Sequence, residues 1–303
     1  MGHSAGRILL SGGSGLIGSA LQAAAREKGF TVQTLVRQHR AVRGGAIYWN
    51  PAEAKLGVHP AALEGFDAIV HLNGASVARR WTSEYRRTIV TSRVRSTEVL
   101  CDALAKLKRR PPVLLCASAV GIYGDRSDEV LTEQSAPGSG FLAETCLAWE
   151  AAAQRANDLG IRVVHLRFGV VLGRKGGALA KMLPVFQLGL GGRLGNGRQW
   201  ISWVTVRDAL RAMWFLMEHQ QLAGAFNVTA PQPITNADFT RALAHAVYRP
   251  AVFPAPAGAL RLVFGEMAQE TMLASQRALP RRLEQAGFAF QDAEIGSALR
   301  AIL

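Results

Sequence analysis

The stretch Arg7-Ile8-Leu9-Leu10-Ser11-Gly12-Gly13-Ser14-Gly15-Leu16-Ile17-Gly18 constrains the fold of this chain more than any other. A short apolar run ends in glycines spaced G-x-x-G-x-x-G, and a helical pattern follows at once. A strand that turns directly into a helix aims free backbone N–H groups and the positive end of the helix dipole at one point, which suits phosphate. Gly12 permits the tight turn, Gly15 lets the backbone approach a pyrophosphate, and Gly18 lets the helix pack closely on the strand. The motif in this context predicts a dinucleotide site. The competing reading is a glycine-rich turn that only packs.

With 303 residues, 49% of them hydrophobic, the chain can bury the core of one large α/β domain with a smaller appendage. No apolar run is long enough to span a bilayer, and the first residues lack the apolar core of a signal peptide. Cys101, Cys116 and Cys146 form no C-x-x-C pair and leave an odd count, so buried free thiols in a reducing cytoplasm are expected. The net charge of +13 can attract nucleic acid, membrane surfaces or anionic substrates. The basic residues are spread along the chain. Their densest patch, residues 79–110, is interrupted by Glu84, Glu98 and Asp102, and no aromatic-interleaved basic motif of a nucleic-acid binder is read in it. A basic enzyme surface with a small-molecule substrate is therefore expected, with neither nucleic acid nor membrane as partner.

Apolar, β-branched runs at 8–11, 31–36, 46–49, 68–72, 113–118, 162–168 and 225–228 alternate with helical patterns at 16–28, 83–108, 142–159, 178–188 and 206–219. Such alternation builds βαβ units, and so an α/β, doubly wound parallel sheet covered on both faces. After Val228 prolines punctuate the chain, and Thr235-Asn236-Ala237-Asp238 reads as a capping box opening a helix. The expected division is a dinucleotide-binding domain over 1–228 and a mostly helical, substrate-side region over 229–303. Gly189, Gly191, Gly192, Gly195 and Gly197 mark a loop that is either flexible or built for close approach to a ligand. Gln199, Trp200 and Trp203 follow it and suggest a substrate lid, or tryptophans packed beneath one.

A reader of an NAD ribose would be an Asp or Glu at the end of the second strand. The chain has Leu35-Val36-Arg37 there, and Arg37, with Arg40 and Arg43 near it, favours the extra phosphate of NADP(H). Leu72-Asn73-Gly74-Ala75 ends a strand in residues small enough to lie against adenosine or pyrophosphate, and His71 reads as a satisfied strand histidine. Ser118 and Tyr123, at the end of the next strand, are expected to face the nicotinamide end of the crevice. G-x-S-x-G, HExxH, a Walker lysine motif and zinc-ligand spacing are all absent, so neither a hydrolase elbow nor a metal site is expected.

Further marks are Arg80-Trp81, Ser92-Arg93, residues 118–124, Phe141-Leu142-Ala143-Glu144 with Trp149-Glu150, and Leu166-Arg167 through Gly173. Gly176-Gly177-Ala178 to Met182-Leu183-Pro184, residues 188–192, Pro280-Arg281-Arg282-Leu283 and Ala286-Gly287-Phe288 complete the set. On these residues the chain resembles, over nearly its whole length, the extended short-chain dehydrogenase/reductase superfamily. More narrowly it resembles the NAD-dependent epimerase/dehydratase group of sugar-nucleotide-epimerase-like proteins with a distinctive C-terminal domain. The resemblance implies a Rossmann fold holding NADP(H). It carries Gly12, Gly15, Leu16, Ile17 and Gly18 to the pyrophosphate, Arg37 to the adenosine phosphate, and Leu72 and Asn73 to the adenosine side. It also carries Arg93 to a helix position near the cofactor and Val171 to the nicotinamide end. A homodimer is compatible with that fold.

Typical members use Tyr-x-x-x-Lys, in which the tyrosine trades a proton and the lysine lowers its pKa and holds the ribose. If Glu150 keeps its usual offset, Leu142 stands at the tyrosine position here and Cys146 at the lysine position. Neither does that work at neutral pH, so the label of epimerase rests on fold analogy. One expectation is an NADP-dependent oxidoreductase or epimerase with a rearranged acid, for which Tyr123 and Ser118 are the candidates. The alternative is an NADP(H)-binding redox sensor or interaction module without turnover.

Overall fold

The computed structural model describes residues 6–37, 45–53, 55–56 and 60–303. Arg40 and Arg43 lie outside the described residues. The strands of the main sheet are β1 (Arg7–Ser11), β2 (Thr31–Val36), β3 (Ile47–Asn50), β4 (Lys55–Leu56), β5 (Ala68–His71), β6 (Val113–Ala119), β7 (Arg162–Phe168) and β8 (Gly224–Val228). Their order is β8-β7-β6-β5-β1-β2-β3-β4, with every neighbouring pair parallel except β3 and β4. The chain builds outward from β1 to β4, then crosses back to β5 on the other side of β1. That reversal leaves a crevice at the carboxyl ends of β1 and β5, the usual ligand position on such a sheet.

Central strands buried on both faces need continuous apolar runs rather than alternation. Ile8, Leu9 and Leu10 of β1, Leu114 and Leu115 of β6, and Val164 and Leu166 of β7 are all fully buried. The helices that cover them are α1 (Leu16–Glu27), α2 (Ser83–Thr91), α3 (Val94–Ala105), α4 (Phe141–Gln154), α5 (Gly177–Gln187) and α6 (Val206–Glu218). The single helix expected over 83–108 is two. The break at Ser92–Arg93 has a physical reason: the Ser92 carbonyl accepts from Asn73 Nδ2 at 3.0 Å, and Ser92 Oγ accepts from the Ala75 N–H at 2.9 Å. The segment after β5 thus pulls the helix apart at this point. The helix expected over 142–159 stops at Gln154, and a short 3₁₀ turn covers Asn157–Leu159.

Beyond β8 come α7 (Asn236–Ala246), α8 (Ala257–Phe264), α9 (Arg281–Gln285) and α10 (Ile295–Ile302), with a π-helical turn at Ala268–Met272. Thr235 caps α7, the N-cap half of the expected capping box: its Oγ1 accepts from the Asp238 N–H at 3.2 Å and donates to the Asp238 carboxylate at 2.6 Å. A second core packs Leu172, Leu179, Leu183, Phe186 and Trp203 against Phe239, Leu243, Ile295 and Leu299. It therefore draws side chains from both sides of residue 228.

The glycine loop after α5 is stitched to the chain itself. Phe253 N–H donates to Gly191 O, Ala255 N–H to Arg193 O and Gly195 N–H to Ala255 O. A Cβ at Gly192 would lie 1.8 Å from Phe253 O, so the close approach that needs glycine is to the 253–255 backbone and not to a ligand. Gln199 is buried, and its Nε2 donates to Leu194 O and Met272 O. Trp203 is fully buried beneath. The lid expected here is instead a pinned seam between the sheet domain and the C-terminal helices. Cys101, Cys116 and Cys146 are buried free thiols.

Candidate cofactor cleft and crevice

A cleft of about 900 Å³ opens over the carboxyl ends of β1, β2, β3 and β5. Its wall includes Gly12, Gly15, Arg37, Leu72 and Asn73 of the residues expected at a cofactor, with Gln22, Thr34 and Gly74. Gly12 has φ +74°, and a Cβ there would meet Leu72 O at 2.6 Å; a Cβ at Gly18 would meet Gly12 O at 2.3 Å. The tight turn and close helix packing that the spacing predicts are both present. Gln22 Nε2 reaches back from α1 and donates to Gly13 O at 2.8 Å, holding the loop open. The N-terminus of α1 is capped by no side chain and carries no acidic residue in its first turn. Among the described residues no Asp or Glu lines the cleft. First-turn N–H groups without a competing carboxylate, beside an exposed arginine, fit an anionic dinucleotide.

The other expected cofactor residues stand behind the wall rather than on it. The Leu16 side chain packs toward the Gly173–Gly177 hairpin, where a Cβ at Gly173 would meet its Cδ1 at 2.9 Å. Ile17 and Val171 are half-buried against the main core. Arg93 donates to Ile89 O at 3.1 Å and Ala75 O at 3.0 Å, and its guanidinium lies over the Trp149 ring. It buttresses the Gly74–Ala75 floor from below. His71 is fully buried, with Nδ1 at 2.8 Å from Ser11 Oγ and Nε2 at 3.3 Å from Ser96 Oγ. Burial pushes its pKa down to about 3, so the ring is a neutral strut.

Past the end of β6 the structure departs from expectation. Ser118 and Tyr123 do not face an open crevice: both are sealed in the interior. Ser118 Oγ donates to Glu150 Oε1 at 2.6 Å. Arg167 grips both oxygens of the same carboxylate, at 2.8 and 2.9 Å, and donates to the Tyr123 hydroxyl at 3.0 Å. That hydroxyl donates in turn to Asn227 Oδ1 at 2.8 Å. Burial opposes both charges of the ion pair, but the forked bonding overcomes it, holding Glu150 below the ordinary carboxyl value and Arg167 above its own. Burial pushes the Tyr123 phenol up. The phenol has both a donor and an acceptor partner inside the protein, so it is a structural hub rather than the exposed acid expected.

Leu142 and Cys146 lie on α4, and burial pushes the Cys146 thiol up to about 11. A carboxylate that the sequence did not signal lies beside the tyrosine position. Glu270, on the π-helical turn, accepts from the Phe141 N–H at 2.9 Å and from the Leu142 N–H at 2.8 Å. A Cβ at Gly140 (φ +106°) would come within 3.1 Å of that carboxylate, so glycine admits it. Leu142 in turn lies against Gly121, just past the end of β6. Trp81 packs edge-on to Phe141, and Arg86 lies over the same ring while pairing with Glu266 at 2.6 Å. The segment from 79 to 86 thus meets the C-terminal region around the start of α4.

Residues 8–229 match the NAD dependent epimerase/dehydratase family, and residues 255–302 match a domain of unknown function, DUF1731. The chain belongs to that epimerase/dehydratase family. It is 44% identical over 293 residues to the epimerase family protein Mb2239 of Mycobacterium bovis, covering 96% of each. It is 35% identical to the chloroplastic SDR39U1 homolog of Arabidopsis thaliana, covering 98% of this chain and 86% of the relative. Human epimerase family protein SDR39U1, crystallised with NADPH, superposes with a TM-score of 0.89 at 32% identity, over 98% of both chains. The family and its Rossmann-like parallel sheet are therefore those that the glycine motif and the strand–helix alternation pointed to.

Proposed function

We propose that the chain binds NADP(H), in preference to NAD(H), in the cleft over β1, β2 and β5. We propose too that it exchanges hydride with an alcohol or carbonyl carbon of a small, sugar-nucleotide-like substrate. The observation that carries this reading is the cleft wall: a glycine loop at an uncapped helix N-terminus, Arg37 at the end of β2, and no carboxylate among the described residues. A 2′-phosphate needs a cation where a free ribose hydroxyl would call for an acid. The NADPH in the human relative supports the same choice. Gly12, Gly15 and the first-turn N–H groups would hold the pyrophosphate, Arg37 the adenosine phosphate, and Leu72 and Asn73 the adenosine side. Leu16, Ile17, Gly18, Arg93 and Val171 would shape the wall from behind.

The cofactor supplies or accepts hydride when bound. The protein must then move the hydroxyl proton. Glu270, held on the N–H groups of Phe141 and Leu142, is the group that would accept it. Ser118, Glu150, Arg167 and Tyr123 fix the end of β6 against α4 and β7 so that this geometry persists. A cytoplasmic location belongs to the same reading, supported by three free thiols.

Leu142 and Cys146 at the usual catalytic positions favour a second reading, an NADP(H)-binding sensor or interaction module without turnover. The two are separated by following NADPH oxidation, or NADP reduction, against a panel of nucleoside-diphosphate sugars and simple ketoses. Substrate-dependent turnover, lost in Glu270→Gln with NADPH affinity unchanged, supports the enzyme. NADPH binding without turnover of any of them supports the sensor.

A further inference from the structure

Residues 174–206 and 242–265 contain none of the 22 acidic residues of the chain but seven of its 35 Lys and Arg, all seven exposed. They also carry eight of the ten large hydrophobic side chains exposed among the described residues: Val185, Leu188, Leu190, Tyr248, Val252, Phe253, Leu262 and Val263. Two of these, Tyr248 and Leu262, are 82% and 79% exposed.

The two segments form one surface. Arg249 Nε donates to Gln187 O at 3.2 Å, Phe253 N–H to Gly191 O at 3.1 Å, and Leu194 bridges to Ala255. On α5, Lys181 shares a face with Val185 and Leu188 by helical spacing. Beyond the seam, α8 presents Arg261 beside Leu262 and Val263. The carboxylates at its margins are engaged elsewhere: Asp238 pairs with Arg241, Glu266 with Arg86, and Glu270 caps α4.

We infer that this face docks onto an anionic lipid surface. Apolar tips that enter the headgroup region, ringed by cations that meet anionic phosphates, are the combination such a surface selects. A second copy fits poorly, because a two-fold contact would set this acid-free surface against itself. Nucleic acid fits poorly as well, because aliphatic tips such as Leu188, Val252 and Leu262 offer nothing to a phosphodiester backbone. No helix of the described residues is long and apolar enough to cross a membrane, so the mode is attachment at the surface. This inference departs from the sequence expectation of no membrane partner, which rests on the spread of basic residues along the chain and not on where folding gathers them. Docking there would bring the segment from 79 to 86, through the Arg80 bonds to the Leu262 and Val263 carbonyls, close to the lipid surface.

The test is flotation of the full chain with vesicles of phosphatidylcholine alone and of phosphatidylcholine with about one third phosphatidylglycerol, which gives the surface its negative potential. The expected result is binding to the anionic vesicles only, weakened by salt. Val252→Asp combined with Leu262→Asp should reduce it by at least about tenfold. Lys181→Glu alone should reduce it by about fivefold. Circular dichroism and the melting temperature of each variant should match the parent, since all three side chains are solvent-exposed. The inference fails if the parent ignores anionic vesicles or if the double variant binds as well as the parent. It also fails if the same substitutions instead dissociate a dimer or abolish nucleic-acid binding while vesicles go unbound.

Discussion

Along the carboxyl edge of the sheet, the cleft over β1, β2 and β5 is walled among the described residues by the glycine-loop backbone, Gln22, Trp49, a few smaller side chains and Arg37, whereas the stretch past β6 is filled by Ser118, Glu150, Arg167, Tyr123 and Asn227. The first region withholds side chains so that a ligand can reach the main chain. The second spends polar side chains on one another in the interior. Residues that would read as catalytic in an open crevice are structural when their hydrogen bonds close inside the protein. Chemical type therefore does not show whether such residues meet a ligand; solvent access bears on it more.

The contrast breaks first at Glu150. Its removal leaves Arg167 buried and unpaired, so Glu150→Ala should destabilise the fold by about 3–5 kcal/mol in urea unfolding. Burial would raise the Glu150 carboxyl, and Arg167 overrides that to hold it below the ordinary value. Its contribution is therefore complete above the ordinary carboxyl pKa of 4.5 and lost as pH falls through the lowered value; a parent unfolding curve flat through that acid limb would contradict the pairing.

In the open cleft the expected effect falls on the ligand. Gly18→Val drives a Cβ into Gly12 O and should weaken NADPH binding by about a hundredfold, roughly 3 kcal/mol, in titration calorimetry. A smaller effect comes from Tyr123→Phe, which strips Arg167 of an acceptor and Asn227 of a donor. It should cost about 2 kcal/mol of stability and leave NADPH affinity unchanged. Unchanged stability with lost turnover would instead return Tyr123 to the catalytic role expected from sequence. The smallest effect is at Glu270: Glu270→Gln should lose only about 1 kcal/mol, seen in the melting temperature, because it weakens a cap on α4.

The cleft was legible because glycine spacing is a backbone statement: Gly12 and Gly18 are where they are for steric reasons that hold in any fold of this kind. The seven parallel strands were equally legible as apolar or β-branched runs, continuous where a central strand such as β1 or β5 is buried on both faces. Strand β4, only two residues long, left no such trace. The break between α2 and α3 was hidden because its cause, the bonds from Asn73 and Ala75 to Ser92, spans 17 to 19 residues. Glu270 was hidden for the same reason on a larger scale, meeting Phe141 and Leu142 from 128 to 129 residues away. A single carboxylate in a helical stretch carries no local mark of such a partner. The glycines at 189–197 misled because a close approach looks alike in sequence whether it serves a ligand or the chain itself, as where Gly192 meets Phe253 O.

The central claim is that an acid-free glycine cleft with Arg37 at its rim selects a phosphorylated dinucleotide. Calorimetric titration of NADPH and NADH into the parent and Arg37→Ala, at fixed salt, tests it most directly. The account predicts that NADPH binds at least about tenfold more tightly than NADH, and that Arg37→Ala removes this difference by weakening NADPH alone. Equal affinity for the two nucleotides in the parent, or a preference that survives Arg37→Ala, would contradict it.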